Sequence, residues 1–292
     1  MRILILGVSG MIGHSLFAYF SSRHETYGTV RANKCDYKFD KIDRLIEGID
    51  VKEFNKLKRL ITKIKPDVVI NCTGIIKQLS DSQTTADQIE LNSLTPHRLA
   101  ELSIPMGFKS VSFSSDCVFT GSKGNYNEDD TADATDIYGA TKALGEVNYA
   151  NSLTIRTSTV GLELSNRHGL VEWFLAQKGE IQGFDKAIYS GLTTLELAKY
   201  LEHVLINYPS ITGVFQMSAD KITKFDLLNR LSSKLNRADI NVLHNSSFVC
   251  DRSLDGSRLQ MLTSYAVPKW DEMLDGLVHE VTERRDNKES FI

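Results

Sequence analysis

The chain begins with RILIL, a run with no polar residue after Arg2, and passes directly into GVSGMIG and then HSLFAYFSS. A strand that is apolar on both sides of its pleat suits a parallel sheet covered on both faces. Of the three glycines that follow, Gly7 permits the tight turn. Gly10 lets the backbone amides around it, including those of Met11 and Ile12, approach a pyrophosphate. Gly13 lets the next helix lie close on the strand, with the phosphates at its positive end. The spacing is G-x-x-G-x-x-G, a variant of the G-x-G-x-x-G fingerprint. Strand, glycines and helix in that order predict a dinucleotide site.

A second strand over 26–30 ends in Arg31. An acidic residue at that point holds the ribose 2′-hydroxyl of NAD, whereas an arginine there meets the 2′-phosphate of NADP. Arg31 therefore points to NADP(H). The alternative is a solvated Arg31 with Asp36 on the ribose. Asp50 and Val51 follow another short apolar stretch and can put a side chain and an amide beside the adenine. Helical periodicity over 54–65 is stopped by Pro66, and PDVVINCTG reads as a strand running into a turn. The carboxyl ends of such strands line the cofactor crevice, so Cys72, Thr73 and Gly74 are expected to touch cofactor backbone-first. Lys77 and Gln78 in the next loop face substrate in this reading. A helix over 86–103 contains Asn92, which can either pin a neighbouring strand or act in catalysis.

Residues 113–146, FSSDCVFTGSKGNYNEDDTADATDIYGATKALGE, carry the chemistry. Tyr138 and Lys142 stand at Y-x-x-x-K, which on a helix puts both side chains on one face about 6 Å apart along the axis. A phenol titrates near 10 in water, and a neighbouring ammonium favours its ionised form. Ser115 ends the apolar strand upstream and can hydrogen-bond the oxygen that Tyr138 protonates. Together the three make an acid–base site for a carbonyl and its alcohol. The polar, acidic loop over 121–136 is expected to be a mobile cover.

With 41% apolar and 24% charged residues, 292 positions suffice for one large core or two modest domains. The formal charge of −3 and the lack of a long basic run point to no nucleic-acid partner and no anionic membrane surface. No segment approaches the ~20 apolar residues of a membrane span. The four cysteines have no C-x-x-C spacing, and no metal site is expected. Scattered free thiols and the absence of a signal-like start predict a cytoplasmic protein. After the apolar strand LTIRTSTV the βα rhythm breaks. A long helix is expected around GLVEWFLAQKG, an irregular tail from Asn241, and a frayed ERRDNKES. The expected fold is α/β, a Rossmann-type doubly wound parallel sheet with a smaller C-terminal substrate domain. Residues 1–162, with 186–219 returning to them, form the cofactor part; 163–185 and 220–292 form the substrate part.

GVSGMIG, the strand ending SSD, and YGATK stand in this order and at separations that resemble the extended short-chain dehydrogenase/reductase family. SSDCVFTGSKGNYNED and YGATKALGE look like its dTDP-4-dehydrorhamnose reductase branch, whose usual form is STDYVFDG, Y-x-E and YG-x-[ST]-K-x-x-GE. The resemblance implies catalytic roles for Ser115, Tyr138 and Lys142, with Lys142 also holding the nicotinamide ribose. It implies NADPH-dependent reduction of the 4-keto group of a nucleotide-diphospho-4-keto-6-deoxy sugar, for deoxysugar synthesis of the O-antigen or capsule type. Ser115 replaces the branch's usual threonine. Cys117 replaces its tyrosine and is no match for the glutamate of the related dehydratases. Bifunctional relatives such as GDP-fucose synthase carry a cysteine at this offset and a histidine early in the substrate domain, where this chain has His168. A 3,5-epimerase/4-reductase is therefore one alternative. Another is a non-catalytic NADP-binding regulatory subunit, a role that relatives of the branch also fill. Asp116, Trp173, Lys178 and Arg252 are further candidates to contact the sugar nucleotide, and the resemblance admits a homodimer.

Overall fold

The computed structural model describes residues 1–34, 41–164 and 168–286. Asp36, Cys35 and the last residues of the ERRDNKES segment lie outside them. The strands are β1 Arg2–Leu6, β2 Glu25–Thr29, β3 Leu45–Ile46, β4 Val68–Asn71, β5 Lys109–Ser115, β6 Ser152–Thr157, β7 Thr159–Val160, β8 Gly179–Phe184, β9 Ala187–Tyr189, β10 Leu192–Thr193, β11 Gly213–Gln216, β12 Ile222–Thr223, β13 Ile240–Asn245 and β14 Cys250–Asp251. The helices are α1 Met11–Ser21, α2 Phe54–Ile64, α3 Thr85–Gln88, α4 Thr95–Met106, α5 Ile137–Leu144, α6 Leu170–Leu175, α7 Thr194–Asn207, α8 Lys224–Lys234, α9 Ser257–Thr263 and α10 Trp270–Asp286.

Seven parallel strands form the main sheet in the order β11-β6-β5-β4-β1-β2-β3. This is the doubly wound order expected from the N-terminal stretch, with its reversal between β1 and β4. The unbroken apolar character of β1 has a direct structural cause. Ile3 and Ile5 enter one core with Leu16, Phe17 and Phe20 of α1, while Leu4 and Leu6 enter a second with Leu57 and Ile61 of α2. β4 repeats the division, with Val68 and Ile70 on one face and Val69 on the other. A charge on either face would be buried without a partner.

The remaining strands build small sheets, β10-β7, β12-β9-β14 and β13-β8. Three expectations change here. The helix around GLVEWFLAQKG is the six-residue α6, and the chain beyond it turns into β8. β8 pairs in parallel with β13, in the stretch expected to be irregular. The tail also forms α9 and α10, the latter burying Trp270, Met273, Leu274, Leu277 and Val281 along one stripe. The loop over 121–136, expected to be mobile, is tied down. Tyr126 stacks on Phe119 with ring centroids 4.1 Å apart. Its backbone N–H donates to Ser253 O at 2.9 Å, and its hydroxyl accepts from the amides of Gly121 (3.2 Å) and Lys123 (3.0 Å).

Candidate active site

The site grows from three chain turns at the carboxyl ends of β1, β4 and β5. At the first, Gly7 has φ +79°, the left-handed region. A Cβ on Gly13 would stand 2.2 Å from Gly7 O, so only glycine lets α1 start this close to the strand. α1 is capped by Gly10 with no side-chain hydrogen bond. The amides of Met11, Ile12 and Gly13 therefore have neither an intrahelical carbonyl nor a side-chain cap to bond, which is the arrangement that receives an anion. Arg31 is exposed just past β2 and has no ion-pair partner among the described residues. Asp50 accepts the Lys52 amide at 2.9 Å, and Val51 is buried beside it.

The second turn, Cys72-Thr73-Gly74, meets the first, because a Cβ on Gly7 would lie 2.9 Å from Thr73 Cγ2. Asn71 orients it, accepting from the Thr73 amide at 3.1 Å and from its hydroxyl at 2.5 Å. Burial pushes the Cys72 thiol up, so it stays protonated. Asn92 fixes the far side. Its Oδ1 accepts from the Ile75 amide (2.9 Å), and its Nδ2 donates to Ile75 O and Thr141 Oγ1 (both 3.3 Å). Of the two roles open to Asn92, the structure displays the pinning one. The residue sits in a π-helical turn, Ile89–Leu94, that interrupts the helix expected over 86–103.

The third turn follows β5. Ser115 caps a short 3-10 turn, Asp116–Val118, accepting from the Cys117 amide at 3.1 Å and donating to Asp116 Oδ1 at 3.1 Å. Tyr138 and Lys142 lie one turn apart on α5, which Asp136 caps by accepting the Gly139 amide at 2.8 Å. Tyr138 is buried and Lys142 is half-buried. Burial raises the Tyr138 phenol, helped by Cys117, Asp116 and Asp136, while the Ser115 hydroxyl opposes the shift. Lys142 is not among these leading influences, contrary to the expectation that it holds the tyrosine near the working pH. Its Nζ donates to Phe113 O at 3.2 Å and lies 3.0 Å from where a Cβ on Gly74 would be. Burial pulls its ammonium down to about 8, with Cys72 opposing.

Around this trio the candidates divide. Asp116 is buried, which raises its carboxyl against hydrogen bonds from Ser115, Cys117 and Ser158 and the charge of Arg252. Arg252 is anchored by donating from Nε to Phe119 O at 2.8 Å. Lys77 pairs with Asp136 at 2.9 Å, and Gln78 is exposed beside it. The Cys117 thiol is pushed up to about 12, first by burial and then by Asp116. His168 is exposed and is not among the groups acting on Cys117. Trp173 lies apart from the trio, with Lys224 Nζ 5.1 Å from its ring centroid. Lys178 is on the surface near Asp239. Sequence reasoning passed over Tyr189 of β9, whose buried hydroxyl has no hydrogen-bond partner among the described residues and is raised by burial and by Asp116. A lone tyrosine in a three-residue strand leaves no local signal.

Two clefts, of about 900 and 440 Å³, lie at the amino-terminal ends of the sheet strands, around Arg2, Arg23 and Arg44 and around Lys109 and Pro209. Neither contains any of these groups. Among the described residues no group of three or more His, Cys, Asp or Glu side chains is placed to hold a metal. None of the described helices is long and apolar enough to cross a membrane.

The chain is similar to known proteins along most of its length. It is 24% identical over 253 residues to methionine adenosyltransferase 2 subunit beta of Xenopus laevis, covering 80% of this chain and 72% of that one. It is 24% identical over 237 residues to dTDP-4-dehydrorhamnose reductase of Salmonella typhimurium, covering 72% and 78%. A solved structure of dTDP-4-dehydrorhamnose reductase from Bacillus anthracis in complex with NADP superposes with a TM-score of 0.78 at 21% identity, over 96% of this chain and 99% of that one. Residues 1–282 match the family model of the RmlD substrate binding domain, and the chain belongs to that family.

Proposed function

We propose that the protein is an NADPH-dependent reductase of the 4-keto group of a nucleotide-diphospho-4-keto-6-deoxy sugar, serving deoxysugar synthesis. Bound NADPH supplies the hydride. The uncapped start of α1 holds its pyrophosphate, Arg31 its 2′-phosphate, and Cys72-Thr73-Gly74, Asp50 and Val51 line the crevice. Lys142 holds the nicotinamide ribose. Ser115 polarises the substrate carbonyl, and Tyr138 gives its proton to the alkoxide oxygen as charge develops there.

The observation that carries this reading is the meeting of three side chains: Tyr138 and Lys142 stand one turn apart on α5, and the Ser115 hydroxyl at the end of β5 is a hydrogen-bond partner of the Tyr138 phenol. We assign residues 1–162 and 186–219 to the cofactor part and 163–185 and 220–292 to the sugar nucleotide. The position of β11 in the main sheet and of α7 against α1 supports that division. NADPH oxidation across a panel of 4-keto sugar nucleotides tests the activity. A substrate-dependent loss of absorbance is expected, and none with any member would refute it.

Arg31→Asp places a carboxylate where the 2′-phosphate is assigned. NADPH binding is expected to weaken by ~1.5–3 kcal/mol through lost charge-assisted hydrogen bonds, with NADH affected far less. A wild type that already prefers NADH contradicts the assignment.

The epimerase alternative needs a base and an acid on opposite faces of the sugar. Cys117 is held protonated and His168 is not among the groups that act on it, which favours the plain reductase. In D2O with a 4-keto sugar nucleotide and no NADPH, deuterium at C3 or C5 is expected to stay at the enzyme-free level. Incorporation that disappears in Cys117→Ser would establish the bifunctional enzyme.

A second reading, a non-catalytic subunit, is favoured by the similarity to methionine adenosyltransferase 2 subunit beta. The presence of Ser115, Tyr138 and Lys142 together speaks for catalysis, since a purely regulatory protein has no use for all three.

A further inference from the structure

Lys224, the first residue of α8, is a half-buried cation that faces rings instead of carboxylates. Its Nζ stands 5.1 Å from the ring centroid of Trp173 on α6 and 5.5 Å from that of Phe184 at the end of β8. Among the described residues no carboxylate pairs with it and no oxygen accepts a hydrogen bond from it. Burial pulls the ammonium down, and no neighbouring charge offsets the shift. Phe184 is met in turn by the ring of Phe248, with centroids 5.5 Å apart. Phe248 is exposed, and Trp173 and Phe184 are half-buried, so the ammonium and the three rings can be reached from solvent.

An ammonium gains less from a ring face than from a charge-assisted hydrogen bond to an anionic oxygen. A ligand that offers such an oxygen therefore draws Lys224 off the rings and frees their faces for a flat group. A nucleoside diphosphate carries both, an anionic phosphate and a base that stacks on aromatic side chains. The position suits one end of a sugar nucleotide. β12, just before Lys224, pairs with β9 through Thr223 and Ile188, and β9 pairs with β14 through Ile188 and Asp251. The residue after Asp251 is Arg252, whose Nε donates to Phe119 O next to the Ser115 turn. Neighbouring strands lie ~4.8 Å apart, so the backbones that carry Lys224 and Arg252 are about 10 Å apart across this sheet, a distance that a diphosphate and its ribose bridge. We infer that Lys224 holds a phosphate oxygen of the substrate's nucleoside diphosphate while the base stacks on Trp173 and Phe184, leaving the sugar at Ser115. This rests on the function proposed above for the identity of the substrate and names the residues that hold its nucleotide end.

Trp173 is one of two tryptophans, and the other, Trp270, is buried, so fluorescence reads a base stacked at this site. With the cofactor site saturated by NADP+, UDP, dTDP and GDP are titrated separately. At least one is expected to quench the emission, and the quench to disappear in Trp173→Phe. Lys224→Met keeps the apolar stem and removes the charge. Its Kd for that nucleoside diphosphate should rise about tenfold or more, with most of the loss recovered in Lys224→Arg. The parent nucleoside, which has no phosphate, should bind wild type and Lys224→Met alike. KM for the 4-keto sugar nucleotide should rise with Kd, while kcat stays within about twofold and NADPH affinity is unchanged. Failure of wild type to bind any of the three nucleoside diphosphates would overturn the inference, as would an unaltered Kd in Lys224→Met. Binding that depends on Lys224 and Trp173, without turnover of any 4-keto sugar, would remove the proposed function and leave this site standing. Wild-type turnover indifferent to both substitutions would remove this inference alone.

Discussion

Tyr138→Phe should lower turnover of the 4-keto sugar nucleotide by at least ~10² while leaving NADPH affinity within a few-fold, because general-acid groups contribute about that much to a carbonyl reduction. The structure makes this a clean substitution. The ring stays in the same buried position on α5, and the deleted oxygen is tied to the Ser115 hydroxyl, which keeps its bonds to Asp116 and Cys117. The fold should therefore survive with its cofactor crevice intact. Stopped-flow reduction and fluorescence titration of NADPH read the two effects separately. Retained turnover would require another proton donor and would remove Tyr138 from the assigned role.

Glu146→Ala is expected to be strongly destabilising, costing ~3–5 kcal/mol in denaturant unfolding, as removal of one member of a buried pair does. Glu146 and Arg156 have side chains 9% and 7% exposed, so neither charge can be rescued by water. Arg156 reaches Glu146 through both Nε and Nη2 at 2.7 Å, and Ser114 Oγ donates to the same carboxylate at 2.7 Å. The cluster ties the chain after α5 to β5 and β6, immediately behind Ser115. Alanine would strand the guanidinium in the interior. The double variant Glu146→Leu, Arg156→Met should recover much of the loss, since a well-packed apolar pair can replace a buried ion pair. A loss below ~1 kcal/mol in Glu146→Ala would mean the pair behaves as an exposed one.

What the sequence disclosed follows the range of the forces involved. The apolar run of β1, its glycines and the start of α1 are a local pattern, and local pattern decided the outcome there. The same holds for α2, which ends where Lys65 takes φ +51° just ahead of Pro66. The Y-x-x-x-K spacing placed Tyr138 and Lys142 on one face of α5, but their electrostatics came out reversed. Spacing cannot report that burial outweighs the neighbouring ammonium at Tyr138. The small sheets were illegible for a different reason: the partner of β8 is β13, some sixty positions away by the register that pairs Gly179 with Ile240, and neither strand is distinctive alone. The stripe of α10 was readable in principle, its buried residues recurring at helical spacing, but a charged end drew attention from it.

The central claim is that Tyr138, Ser115 and Lys142 reduce a sugar ketone at C4. Its most direct measurement uses NADPH deuterated at C4 of the nicotinamide, both epimers in separate reactions, with a nucleotide-diphospho-4-keto-6-deoxy sugar and NMR of the product. The account predicts deuterium at C4 of the sugar from one epimer, and its loss in Tyr138→Phe. Tight NADPH binding with no label in any sugar of the panel would contradict it and leave the chain as a cofactor-binding subunit.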